Sequence, residues 1–256
     1  MIAGLNRDET SQLYQEIFIH RSYLSGGIRL DTADPVIFDV GANIGMFSLF
    51  AASICPDTTV YAFEPMPPIF EKLRLNVAGL GAHVKLFEYG LSDTERRLPF
   101  TFYPGFSTMS VQRSYADTAA DRALVRRSMV QAGAATGDGL DAFLDEMLDF
   151  RLREVTHECV VRRMSDVIDE QGVERIDLLK IDVQRAEADV LRGLEERHWE
   201  LVRQIAVEVH DEPGTRTEGR LDTMVGRLRR RGFRVVTEQA QELAGTDRHM
   251  LFAVRG

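Results

Sequence analysis

The sequence predicts an α/β fold, a sheet of mostly parallel strands with helices on both faces. Three observations predict it. Short apolar runs alternate with stretches of helical period; strand, glycine turn and helix follow in immediate succession at VIFDVGANIGMFSLF; and IDLLKIDV is too apolar for a sheet edge. With 256 residues, 44% of them apolar and 28% charged, the composition is that of one globular domain, 1–256, and not of a disordered chain or a disulfide scaffold.

The elements follow in chain order. Residues 1–34 are expected to form a helical N-terminal cap. After Pro35, Val36-Ile37-Phe38 reads as a buried strand, GANIG as a tight turn and Met46 to Ser53 as a helix. Thr59 to Phe63 is the second strand, stopped by Pro65, Pro67 and Pro68, and Ile69 to Ala78 is the next helix, with Leu73 and Val77 four apart. Val84 to Phe87 is the third strand, and Leu98 to Tyr103 an extra one. The parallel pattern then breaks. Residues 104–156 are expected as a helical insertion with two amphipathic stretches, one carrying Ala120, Leu124, Val125 and Met129, the other Phe143, Leu144, Met147 and Leu148.

Beyond the insertion, Cys159 to Val161 is extended, and Ser165 is expected to cap a short helix ending near Gly172. Ile176 to Val183 is the central strand, Ala186 to Glu196 a helix and Gln204 to Val209 the fifth parallel strand. A helix marked by Leu221, Met224, Val225 and Leu228 closes at Gly232, and Phe233 to Glu238 with His249 to Val254 form a closing antiparallel pair. The sum is a seven-stranded mixed sheet whose helical insertion acts as a lid over its carboxyl edge.

Thirty-one Lys and Arg against 40 Asp and Glu leave a formal charge of −9, which repels a phosphate backbone, so no nucleic-acid partner is expected. Lysines stand only at Lys72, Lys85 and Lys180, which gives little room for Schiff-base chemistry. Cys55 and Cys159 lack metal-ligand spacing and read as reduced thiols. The polar, acidic start MIAGLNRDETSQLYQ and the absence of any run near ~20 apolar residues predict no membrane association and a cytoplasmic protein, a monomer or homodimer.

The chemistry concentrates where strands end. Asp39 closes the first strand, and Gly41, Asn43 and Gly45 shape the turn into the first Rossmann-like helix, whose N-terminal N–H groups favour a polar ligand. Glu64 ends the second strand nineteen residues past Gly45, where a ribose-binding carboxylate belongs. A dinucleotide needs G-x-G-x-x-G; here Asn43 replaces the middle glycine, and an acid before the loop repels phosphate but attracts an ammonium or sulfonium group. S-adenosylmethionine carries both cations and no phosphate. Asp93 is placed to accept from its adenine amino group, and Phe63 and Ser92, beside the two acids, are counted to the same site.

Longer motifs carry a resemblance: VIFDVGANIGMFSLF, YAFEPMPPIFEKLRLN, GLSD, LPFTFYP with STMS, IDLLKIDVQRAEADVLRGL, VEVHD, and GFRVVTEQ with LAGT. Over most of its length the chain resembles the FkbM-type S-adenosylmethionine-dependent methyltransferases, most of all the branch that O-methylates polyketides and related macrolides, down to EIF before the first strand and TFYP after the third. The resemblance implies a class I methyltransferase fold, S-adenosylmethionine as donor, and a hydroxyl of a small natural product of secondary metabolism as acceptor. It carries Asp39, Gly41, Asn43, Gly45 and Glu64 over as cofactor contacts. Gln184 departs from the glutamate that many members have in K-[IV]-D-V-E.

On the acceptor side, Asp182 and His210 end what should be adjacent strands. A hydrogen-bonded pair there would let His210 act as general base while Asp182 fixes its tautomer. Asp182, His210 and Asp211 could instead hold a divalent cation. Tyr23, Tyr103, Ser107, Met109 and Ser110 are the expected acceptor-pocket residues, since they flank the sheet or open the insertion. Competing readings keep the donor and change the acceptor to an amine, a carboxylate or a sugar hydroxyl, make the chain a non-catalytic S-adenosylmethionine-binding module, or make it a nicotinamide-dependent oxidoreductase.

Overall fold

A computed structural model of the protein describes residues 2–131, 140–239 and 246–256. The side chains of Ala120 and Leu124, and Leu243 to Gly245 of the LAGT segment, lie outside the described residues.

The chain opens with α1 (Arg7–Tyr14), capped by the Asn6 side chain on the Glu9 N–H, and runs on into a π-helical turn, Gln15–Ile19. Then come β1 (Val36–Val40), α2 (Met46–Ile54), β2 (Thr59–Phe63), α3 (Pro67–Val77) and β3 (Val84–Phe87). Two prolines begin α3, where a missing N–H costs nothing. Three further strands, β4 (Gly90–Ser92), β5 (Arg96–Phe102) and β6 (Val111–Gln112), precede the insertion helices α4 (Thr118–Gln131) and α5 (Leu140–Arg151). The second half runs β7 (Val155–Arg163), α6 (Met164–Gln171), β8 (Leu178–Ile181), α7 (Glu187–Arg192), α8 (Glu196–Trp199), β9 (Gln204–His210), α9 (Arg220–Arg230), β10 (Phe233–Glu238) and β11 (Arg248–Arg255).

Seven strands form one sheet in the order β10-β11-β9-β8-β1-β2-β3, parallel from β3 to β9, with β11 antiparallel to both β9 and β10. This is the expected mixed sheet, and β8 is central as its four buried residues require. Side chains alternate between two cores. Phe38 and Val40 of β1 pack with α6, α7 and α9 residues on one face, whereas Ile37 packs with Phe47 and Phe50 of α2, Leu73 of α3 and Ile17 and Tyr23 of the N-terminal cap on the other.

Three expectations change. The extra strand is not an isolated addition: β4, β7, β5 and β6 form a second, four-stranded sheet, so 104–156 is helical only in its middle and returns through β6 and β7. Ser165 caps nothing. Its hydroxyl accepts from the Glu195 N–H and bonds His198 Nδ1 at 2.7 Å, while Gly172, in the left-handed region, ends α6 as expected. The helix read over Ala186 to Glu196 stops at Arg192, and α8 begins only at Glu196; between them Gly193 packs so closely that a Cβ would stand 2.1 Å from the Ser92 carbonyl oxygen.

Candidate active site

The carboxyl ends of β1, β2, β8 and β9 open onto a cavity of about 370 Å³, at the strand edge where open α/β sheets bind ligands. Gly41, Asn43, Glu64 and Ser92 line one part of it, Asp182, Gln184, Glu208 and Arg248 another, and Ser107, Met109, Ser110 and Val125 of the insertion a third.

The loop after β1 is shaped by steric necessity. Gly41 has φ +76°, and a Cβ there would stand 1.8 Å from the Asp182 carbonyl oxygen, so only glycine lets the β1 and β8 loops meet. Asn43 is left-handed too, with φ +49°, and its Oδ1 accepts from the next N–H, Ile44, a local bond that suits Asn to this conformation. Glu64 ties loop to strand: its two oxygens accept from the N–H groups of Asn43 (3.1 Å) and Met66 (2.9 Å). Each has acceptor capacity left, and Glu64 lies on the cavity wall. Burial pushes the Glu64 carboxyl up to about 7, against the pull of those two bonds.

Asp39 is not a wall of the cavity. It is fully buried, paired with Lys180 Nζ at 3.0 Å and accepting from Ser48 Oγ at 2.8 Å, because its side chain points beneath the loop rather than into its mouth. Lys180 also donates to the Gly41 carbonyl at 2.7 Å, so the pair holds the loop's shape. Burial works against the lysine's charge, but Asp39 and Asp182 outweigh it and hold the amine above its ordinary range. Gly45 likewise shapes the turn without reaching the cavity: a Cβ would lie 2.7 Å from Leu73. Phe63 is core, stacked on Phe87 at 4.8 Å, and Asp93 turns outward to Arg96 at 3.1 Å; of that pair of strand ends only Ser92 faces the cavity.

His210 and Asp182 do not pair. Tyr23 donates to Asp182 Oδ2 at 2.8 Å, whereas His210 Nδ1 bonds Glu187 Oε1 at 2.7 Å, and Arg220 bonds the other Glu187 oxygen at 2.5 Å. The expected base is therefore misassigned in two respects. His210 is 1% exposed and off the cavity wall, and although burial opposes its charge, Glu187 outweighs that and raises its pKa, which favours the imidazolium that a base must not already be. Asp211 turns away as well, accepting from Gly219 and Leu221 N–H at the start of α9. Among the described residues no group of three His, Cys, Asp or Glu is arranged to hold a metal ion.

Of the expected acceptor residues, Ser107, Met109 and Ser110 line the cavity; Tyr23 and Tyr103 are buried behind it. Sequence reasoning missed Glu9 and Glu16 of the N-terminal cap, and Glu208 and Arg248 of the sheet, all on the wall. Glu16 sits in the π-helical turn, and burial together with Glu208 and Asp182 pushes its carboxyl up to about 8. Gln184 and Arg185, the third and fourth residues after the β8 end, both have positive φ, at +38° and +67°. Arg185 then reaches Asp121 of α4 at 2.8 Å, so the insertion is moored to the carboxyl edge.

A family model for the FkbM methyltransferase domain matches residues 39–235, from the buried Asp39 into the middle of β10. The chain belongs to the FkbM methyltransferase family. The AMB antimetabolite synthetase AmbE of Pseudomonas aeruginosa is 49% identical over 255 residues, 99% of this chain, but the chain spans only 12% of that synthetase. The 31-O-demethyl-FK506 methyltransferase FkbM of Streptomyces tacrolimicus is 41% identical over 254 residues, 99% of this chain and 93% of that protein. The fold is that of class I methyltransferases: Aeropyrum pernix fibrillarin, solved with natively bound S-adenosyl-L-methionine, superposes with TM-score 0.50 at 12% identity, covering 94% of this chain and 76% of that one.

S-adenosylmethionine is the cofactor of this FkbM-family chain, and the cavity lining fits it. Glu64, each of whose oxygens accepts one backbone N–H, would have acceptor capacity left for ribose hydroxyls, with the Ser92 hydroxyl and the side-chain-free Gly41 on the same cavity wall. Asp39, to which the sequence assigns the attraction for a sulfonium, lies off the cavity wall; the acid on the wall at the β8 end is Asp182.

Proposed function

We propose that the protein is an O-methyltransferase acting on a hydroxyl of a polyketide or macrolide-type secondary metabolite. Support comes from near full-length similarity to the 31-O-demethyl-FK506 methyltransferase. One structural observation carries the reading further: a single cavity joins Glu64 and the β1 loop to Ser107, Met109 and Ser110, so donor and acceptor have adjoining walls. The bound cofactor supplies an electrophilic methyl group on sulfur. Glu64 and the Gly41–Asn43 loop orient it, and Asp182, held by Tyr23, sets negative charge near the cationic end. The insertion, moored through Arg185 and Asp121, serves as the lid that excludes water. Two free cysteines suit a reducing cytoplasm, and no described helix is long and apolar enough to cross a membrane.

The test is twofold. Calorimetric titration with S-adenosylhomocysteine, with NAD as control, should give micromolar or tighter binding that Glu64→Ala weakens. Transfer of labelled methyl should then occur to a panel of hydroxylated polyketides, among them 31-O-demethyl-FK506. Transfer only to amines, carboxylates or sugars would replace the acceptor class; binding without any transfer would make the chain a binding module.

A further inference from the structure

The end of the cavity over β9 and β11 holds a carboxylate that cofactor binding does not use. Glu208 is 6% exposed, lies on the cavity wall and accepts no hydrogen bond from any described residue. Its nearest charged atoms are His210 Nε2 at 3.8 Å and Arg248 Nε at 3.9 Å, each buried and itself without a hydrogen-bond partner among the described residues. A carboxylate buried to that degree is ordinarily satisfied by several donors. Here its open side faces the cavity, where an incoming donor would complete it.

Three of the other acids on the wall accept hydrogen bonds. Glu9 accepts from Asn6, Ser107 and Thr108; Glu64 from two backbone N–H groups; Asp182 from Tyr23. Glu16, pushed up to about 8, is mostly protonated at neutral pH. Glu208 combines a carboxylate without a hydrogen-bond donor with positive charge directly behind it, at His210 and Arg248. Behind it runs a buried file: Arg220 bonds Glu187, Glu187 bonds His210, and His210 presents Nε2 to Glu208.

We propose that Glu208 is the base that takes the acceptor hydroxyl's proton during methyl transfer, with His210 as its positioning residue. This rests on the O-methyltransferase reading above. The acceptor oxygen bonds the methyl carbon as the carbon–sulfur bond breaks and its electron pair stays on sulfur. Glu208 receives the hydroxyl proton, so one carboxylate becomes one carboxylic acid and the charges balance. Groups facing Glu208 are Arg248 on β11, Asp182 after β8, His210 on its own strand, Glu187 on α7, and Glu16 and Tyr23 of the N-terminal cap. Burial raises the carboxyl above its ordinary value despite Arg248, which strengthens it as a base.

The experiment compares wild type, Glu208→Gln, Glu208→Asp and Glu187→Gln for S-adenosylhomocysteine affinity, for kcat against pH with the best hydroxyl acceptor of the panel, and for the infrared carboxyl band lost in Glu208→Gln. Glu208→Gln should keep its affinity and lose ~10²–10⁴-fold in kcat. Glu208→Asp, the second variant should Gln fail to fold, should keep the rise of kcat with pH at a lower rate. Glu187→Gln releases the charge on His210 and should move that rise, and the midpoint of the carboxyl band, together to higher pH. A Glu208→Gln rate within tenfold of wild type, or a band midpoint unrelated to the kinetic one, overturns the proposal while leaving the methyltransferase reading intact. A wild type that methylates no hydroxyl of the panel overturns both.

Discussion

Lys180 and Asp39 show how one residue's partner decides its role. Each is buried, and removing one partner of a buried pair strands the other's charge, which costs about 3–5 kcal/mol. Lys180→Met is therefore expected to lower unfolding stability by that order in urea titration. Asp39→Asn should do likewise, with affinity for S-adenosylhomocysteine falling only as the Gly41 loop loses its shape; unchanged stability with lost affinity would return Asp39 to the ligand. The sequence could not separate these roles, because an acid before a glycine loop reads the same whether it meets a ligand or a lysine. A signal was nevertheless present. Lys180 interrupts the apolar IDLLKIDV, and Glu208 interrupts the apolar IAVEV, and a charge inside a buried strand demands either a partner or a task. His210, two residues later, drew the catalytic assignment that Glu208's environment supports better.

Among the elements, the β1 turn was legible because glycine, Asn and strand end are local chemistry. Gly41→Ala brings a Cβ to 1.8 Å of a backbone oxygen that cannot rotate away. We expect at least tenfold weaker S-adenosylhomocysteine binding by calorimetry, whereas Gly79→Ala, which meets nothing within 4 Å, should bind as wild type does. The second sheet was legible only in part, as the extended runs Leu98 to Tyr103 and Cys159 to Val161. β4 and β6 have three and two residues and the first part of β7 is mostly exposed, so neither run length nor alternation marks those stretches. The mooring of the insertion was hidden for a different reason, since Arg185 and Asp121 are 64 residues apart. Asp121→Asn should loosen α4, raising its amide exchange and reducing kcat/KM for the acceptor, with S-adenosylhomocysteine affinity unchanged. Equal loss of both would mean that the insertion shapes the donor half as well.

At the level of the whole molecule, the strand order was readable because it follows from buried runs and short connections, whereas the cavity's charge was not, since it gathers Glu16 from the cap, Glu64 and Asp182 from strand ends and Glu208 from β9. That gathering sets a pH dependence. Glu64 and Glu16 are raised in the folded state to about 7 and about 8, from 4.5. A carboxyl so raised binds its proton more tightly folded than unfolded, so its favourable contribution is complete below pH 4.5 and is lost as pH rises to the folded value. Without ligand, the melting temperature should thus decline between pH 5 and 8, and less steeply in Glu16→Gln with Glu64→Gln. A cationic ligand favours the ionised acids, so the rise in melting temperature given by a fixed concentration of S-adenosylmethionine should grow from pH 6 to 8. Saturation at a hundredfold excess over Kd is worth about 2.7 kcal/mol, enough to read by calorimetry. In the double variant, which keeps only Glu208 as a raised carboxyl on the wall, that growth should shrink; a wild-type rise flat across the range would mean that these carboxylates do not feel the ligand's charge.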